Sequence, residues 1–172
     1  MKITRPNPDE YAPHYETYIS KVDTDDPIKG LRKSKKQLIK LISKLNKKQL
    51  KFRYAEGKWT IKEILVHMMD GERIFGYRAL RFARNDKTAL PGFEENDYAP
   101  MSKATKRKIK SILREYEAVR DATISLYENL DEEMMMRMGT ANNNQMSVRA
   151  LVYVTLGHEL HHIGVIKEKY LS

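Results

Sequence analysis

Residues 60–85 read TIKEILVHMMDGERIFGYRALRFARN, and this stretch decides the fold class. Thr60 followed by Glu63 forms a capping box, in which Thr60 caps a helix start and Glu63 reaches back to it. Ile61, Ile64, Leu65, Met68, Phe75, Ala79 and Phe82 then recur about a turn apart, which predicts an amphipathic helix to about Asn85. Three further stretches have the same character. Lys29 to about Leu45 carries Leu31, Leu38, Leu41, Ile42 and Leu45, and Lys103 to about Asn129 carries Ile109, Ile112, Leu113, Tyr116, Val119, Ile124 and Leu126. Ser147 is a suitable N-cap for a last helix reaching about Lys169.

Pro, Gly, Asn and Asp gather between these segments. Asp23 to Pro27 reads as a loop, Asn85 to Pro100 as one long crossover loop, and Gly139 to Gln145 as a break. Asp9 to Val22, with Tyr11, Tyr15, Tyr18, Ile19 and Val22 about a turn apart, predicts a short extra N-terminal helix. No run alternates as a strand would, and no repeat of fixed period is present. Four long amphipathic helices predict an all-α four-helix bundle, one domain spanning residues 1–172.

Composition narrows the function classes. With 172 residues, 41% hydrophobic and 32% charged, the chain fits one globular domain and excludes an integral membrane protein. Met1 to Pro6 lacks the apolar core of a secretory signal, so a cytoplasmic protein is expected. The absence of cysteine excludes disulfides, thiolate metal sites and cysteine nucleophiles. Net charge is +9, yet Lys29 to Arg53 holds eleven Lys or Arg and no acid, so the remainder sums to −2. Such a block suits phosphate groups, and a nucleic-acid or partner-binding bundle is one alternative function. However, no aromatic ladder, phosphate loop or zinc-finger spacing accompanies the block, and leucines recur at helical spacing among the lysines. Both features favour a solvated helix face.

The chemistry concentrates in Gly157-His158-Glu159-Leu160-His161-His162. His158 and His162 lie about 40° apart around a helix and about 6 Å along it. Both fall on the inward stripe of Leu151, Val154, Thr155 and Val165. Two imidazoles buried together resist protonation, and a shared cation resolves the conflict. His67, which continues the face of Ile64, Met68, Gly71 and Phe75, is the candidate third ligand. Three neutral imidazoles leave a coordination position open, as catalytic sites do, and nitrogen donors suit Zn²⁺ or Ni²⁺. The same residues match H-E-x-x-H, the zinc-protease pattern, but no downstream His follows, which argues against that reading.

The chain resembles the DinB-like (YfiT-like) metalloenzymes across nearly its whole length. The matching residues include Arg5-Pro6, Glu10-Tyr11, Tyr15, Tyr18-Ile19, the run Arg53 to Glu63, His67 to Arg73, Tyr77 to Arg84 and Gly157 to His162. The resemblance implies an up-down-down-up bundle with metal ligands at His67, His158 and His162, and a homodimer. It also implies transfer of a low-molecular-weight thiol such as bacillithiol to a small electrophile, which suits a chain that must borrow its sulfur. Metal-activated water, and hence hydrolysis of a small molecule, fits the same ligands. Asp70, Glu159 and His161 are the candidate catalytic side chains: Asp70 to orient an imidazole or pair with Arg73, Glu159 as a base or acceptor, His161 to protonate a leaving group. Arg78 and Arg81 are candidates for a substrate carboxylate, Trp59 for packing a helix start, and Met134 to Met136 for core filling.

Overall fold

A computed structural model describes residues 3–171. In chain order the elements are α1 (Glu16–Ile19), α2 (Pro27–Ile42), α3 (Lys47–Lys51), α4 (Ile61–Ala83), α5 (Glu95–Met101), α6 (Ile109–Glu128), α7 (Glu132–Met136), β1 (Met138–Ala141), β2 (Asn144–Ser147) and α8 (Val148–Val165). The long helices α2, α4, α6 and α8 make the bundle. Side-chain caps begin three of them. Asp26 accepts from the Lys29 amide, Thr60 and Glu63 form the expected reciprocal box, and Ser147 accepts from the Ala150 amide.

The contacts between helices give their directions. Lys62, at the start of α4, donates to the carbonyls of Thr105 and Arg107 just ahead of α6, while Glu72 meets Arg120 midway along both helices. Hence α4 and α6 run parallel. Arg32 pairs with Glu128 and Lys35 with Asp121, so α2 opposes α6. His67 and the later Gly71 meet, in turn, His162 and the earlier His158, so α4 opposes α8. The order is up-down-down-up. Parallel α4 and α6 require the chain to return along the bundle, which explains the long connection between Arg84 and Lys108.

At the centre, Arg120 touches all three other long helices. Its Nε and Nη2 donate to the two carboxylate oxygens of Glu72 at 2.8 Å each, and Nη2 also to Glu159. Nη1 donates to the Leu31 carbonyl at 3.1 Å and to Ser34 Oγ at 3.2 Å, while Tyr116 donates to Glu159 Oε1 at 2.8 Å. Around this polar centre pack buried apolar residues such as Leu31, Leu65, Phe82, Ile112 and Leu151.

Several boundaries differ from expectation. The N-terminal segment is two 3-10 turns, at Pro8–Glu10 and Pro13–Tyr15, before the single turn α1, because Pro13 has no amide to continue a helix from Glu10. It is strapped onto α8 by the buried pair Glu10–Arg149 and by Tyr153, whose hydroxyl donates to the Ile3 carbonyl at 2.9 Å. The crossover is not wholly irregular: Glu94 caps the short helix α5 inside it, and α6 starts six residues later than Lys103, which sits at φ 50°. The break at Gly139 to Gln145 is a β-hairpin, where no strand was expected. Asn142 and Asn143 take positive φ at its tip, the two-residue turn that matches strand twist, while strands of four residues carry too little alternation to read. Finally, α8 runs into a π turn at Ile166–Tyr170.

Replacing Arg120 with Met should cost about 3–5 kcal/mol, because it leaves two carboxylates buried without their cation. Urea unfolding followed by circular dichroism measures this, and a variant as stable as the parent would contradict the role assigned to Arg120.

Candidate metal centre

Antiparallel packing of α4 on α8 carries His67 to the pair His158 and His162, which lie four residues apart on one helix face. The three Nε2 atoms converge: His67 to His158 at 3.0 Å and His162 to His158 at 3.1 Å. All three lie within 4.8 Å of one another. His158 is 5% exposed, closed in by the edges of Tyr18 and Phe75 at centroid distances of 5.2 and 5.9 Å. Gly71 makes room for it, since a Cβ there would come 3.3 Å from its Cε1. Gly157 has the same use toward the N-terminal strap: a Cβ would strike the Tyr18 carbonyl oxygen at 2.1 Å, so glycine lets Tyr18 reach His158.

Burial disfavours the imidazolium form throughout the cluster. It lowers the pKa of His67 to about 4 and of His158 to about 3, and holds His162 well below the ordinary value, with neighbouring imidazoles adding to the effect. At neutral pH the three rings are therefore uncharged, with nitrogen lone pairs available. Their chemistry fits a divalent transition metal. Two close Nε2 contacts share one His158 nitrogen, whose single proton or lone pair cannot serve both well. Nδ1 of His162 is buried with no hydrogen-bond partner among the described residues. A cation at the centre would relieve the crowding of the Nε2 lone pairs, and the edges of a tetrahedral zinc site, at about 3.3 Å, are close to the spacings here.

The other side chains singled out from sequence are dispersed. His161 is half-buried, lines the cleft beside His162, and has its pKa lowered by burial. Glu159 is 2% exposed and turned to Arg120 and Tyr116. Asp70 lies 3.7 Å from Arg73, does not line the cleft, and has its pKa raised by burial. Arg78 is buried and donates to the Pro91 carbonyl, and Arg81 is held by Asp86 and Tyr77, so neither guanidinium is free for a substrate. Trp59 lies 4.7 Å from the His67 ring and lines the cleft rather than only packing the start of α4. Of the methionine run, Met135 is buried and Met136 exposed.

Sequence reasoning missed Arg120, although a signal existed: Ile112, Tyr116, Arg120, Thr123 and Tyr127 share one helical stripe, so a charge there is buried. Tyr54 and Tyr170, which form walls of the cleft, carried no such signal.

A family model described as the DinB superfamily matches residues 31–166. A protein of Oceanobacillus iheyensis, named as a candidate metal-dependent hydrolase, is 25% identical over 147 residues, covering 84% of each chain. One of Geobacillus thermodenitrificans, named likewise, is 25% identical over 146 residues, covering 84% of this chain and 82% of its own. Among solved structures, YfiT from Bacillus subtilis superposes with a TM-score of 0.77 at 17% identity, over 84% of this chain and 83% of that one. It is described as a probable metal-dependent hydrolase with an unusual four-helix bundle topology, and the likeness establishes the fold.

The depressed pKa values have a consequence for stability. An unfolded imidazole binds a proton near pH 6.5, while folded His67 and His158 resist until about 4 and about 3. Between those limits the unfolded chain holds more protons, so stability falls as pH falls. Metal-free protein should lose stability steadily below about pH 6.5, with a shallower slope in His158→Gln. Urea midpoints across that range check this, and equal slopes in the two proteins would refute it.

Proposed function

The chain belongs to the DinB superfamily, and we propose that it is a metal-dependent hydrolase of a small molecule. The observation that carries this reading is the convergence of three neutral imidazoles, Nε2 to Nε2 at 3.0 and 3.1 Å, beside a cleft open to solvent. His67, His158 and His162 would hold one divalent ion, zinc or nickel by their donor chemistry. A bound ion supplies Lewis acidity, polarising a substrate oxygen and acidifying water.

The remaining roles belong to the chain. His158, sealed by Tyr18 and Phe75, fixes the closed side of the site; His162 presents the open side to the cleft, and His67 sits against Trp59 of the cleft wall. His161 is the imidazole of the cleft outside the ligand cluster, and in this reading its ring passes a proton to the leaving group. Glu159 is engaged by Arg120 and Tyr116 and steadies α8 below the ligands. Thiol transfer, which the sequence resemblance implies, would use the same ligands. Water is preferred as nucleophile because the two relatives are named for hydrolysis and because no side chain of the cleft is singled out for a thiol.

Two measurements test the proposal. Protein purified without a histidine tag should contain one transition metal per chain, and His162→Ala should lose it. Against a panel of small esters and amides, metal-loaded protein should turn over without added thiol. Turnover that requires bacillithiol or a similar thiol would overturn hydrolysis in favour of transfer. His161→Gln should keep its metal yet lose about 100-fold in kcat. Loss of metal together with activity would move His161 into the ligand set and remove its proton-transfer role.

A further inference from the structure

The cleft beside the imidazoles has a volume of about 290 Å³ and an aromatic wall that the fold builds with several separate contacts. The π turn after α8 swings Tyr170 across to the segment ahead of α4, where its hydroxyl donates to the Trp59 carbonyl at 2.5 Å. Tyr54 and Phe52 pack edge-on against the Tyr170 ring at 5.1 and 6.2 Å. Arg53 donates to the Lys58 carbonyl and, at 3.0 Å, to Glu63, pinning the loop between them to the start of α4. The turn within that loop needs Gly57, at φ 72°. Trp59 is thereby set against His67, so the aromatic wall ends at the metal centre.

Tyr54, in the cleft lining, remains 38% exposed, so apolar surface faces the solvent where a ligand could cover it. The charge of the cleft is one-sided. Lys58 is exposed, makes no ion pair among the described residues, and has no acidic side chain beside it in the lining. The volume, at the small end of the range for ligand pockets, suits one ring and a short chain.

We propose that the cleft binds small aromatic acyl compounds carrying a carboxylate, and that an amide or ester of this class is the substrate. The ring would lie along Trp59, Tyr54 and Tyr170, the carboxylate at the Lys58 ammonium group, and the scissile carbonyl at the imidazole cluster. In the reaction the oxygen of water bonds to the acyl carbon and the C–N or C–O bond breaks. The amine or alcohol leaves with one proton from that water, and the new carboxylic acid gives the other to solvent. The substrate class rests on the hydrolase reading, whereas the binding preference does not.

The test separates the two. N-benzoylglycine combines the ring, amide and carboxylate, and 3-benzoylpropionate is its uncleavable ketone counterpart. Calorimetry on metal-loaded, full-length protein should find 3-benzoylpropionate bound at least about tenfold more tightly than 4-oxopentanoate, which lacks the ring. It should also bind about threefold more tightly than 3-benzoylpropionamide, which lacks the charge. Trp59 is the chain's only tryptophan, so quenching of protein fluorescence would locate the ligand in this cleft. Lys58→Ala should abolish the preference for acid over amide, and Tyr54→Ala should weaken binding of both. Equal affinity for the three ketones, or binding without quenching, would overturn the proposal. If N-benzoylglycine binds in the cleft without being cleaved while other esters are, the substrate assignment falls and the hydrolase reading stands. If N-acetylglycine is cleaved as efficiently as N-benzoylglycine, the aromatic preference falls and hydrolysis again survives.

Discussion

The guanidinium of Arg120 is the point at which all four long helices meet, and the geometry of the imidazole cluster depends on it. Glu72 reaches it from α4, Glu159 from α8, and the Leu31 carbonyl and Ser34 from α2. A buried ion of this size costs several kcal/mol to desolvate, so the arrangement is tolerable only when every partner is in place. Sliding one helix by a turn would strand a carboxylate in an apolar interior. The network thus adds little net stability and strongly disfavours other registers, much as a single polar residue fixes register in a coiled coil.

That register is what the imidazoles need. Glu72 follows Gly71, the residue on which His158 rests, and Glu159 follows His158 itself. The same ion pairs that align α4 with α8 at the bundle centre therefore align His67 with His162 one turn away. The N-terminal strap completes the enclosure. Glu10 and Arg149 anchor it to α8, Gly157 lets its backbone come close, and Tyr18 shields the ring of His158. Three neutral imidazoles follow from this burial, not from any hydrogen bond that fixes their charge.

The parts legible in the sequence were those with periodicity or a fixed short spacing. Thr60 and Glu63 announced a helix start, and His158 and His162 shared a helix face wherever that helix packed. The choice of His67 as partner required only that its own face point inward. Other features depended on contacts remote in sequence. Nothing local to Tyr170 indicates that a π turn carries it to the Trp59 carbonyl, and the hairpin after α7 is held by two asparagines at positive φ and by Leu90, which bonds to Thr140 and Asn142. Arg78 was misjudged for a related reason: an arginine on a long helix is usually solvated, but the returning crossover covers this one and offers it the Pro91 carbonyl.

The centre is asymmetric, and the asymmetry bears on its chemistry. His158 is covered by Tyr18 and Phe75, while His162 borders the cleft with Trp59 and His161. An ion held by these three uncharged donors would retain its full charge, whereas thiolate or carboxylate ligands would partly cancel it. On the cleft side the lining provides an aromatic wall, one Lys ammonium group and no carboxylate. In the hydrolase reading proposed above, burial on one side and openness on the other would let this cluster of histidines bring a polarised bond and a water molecule together.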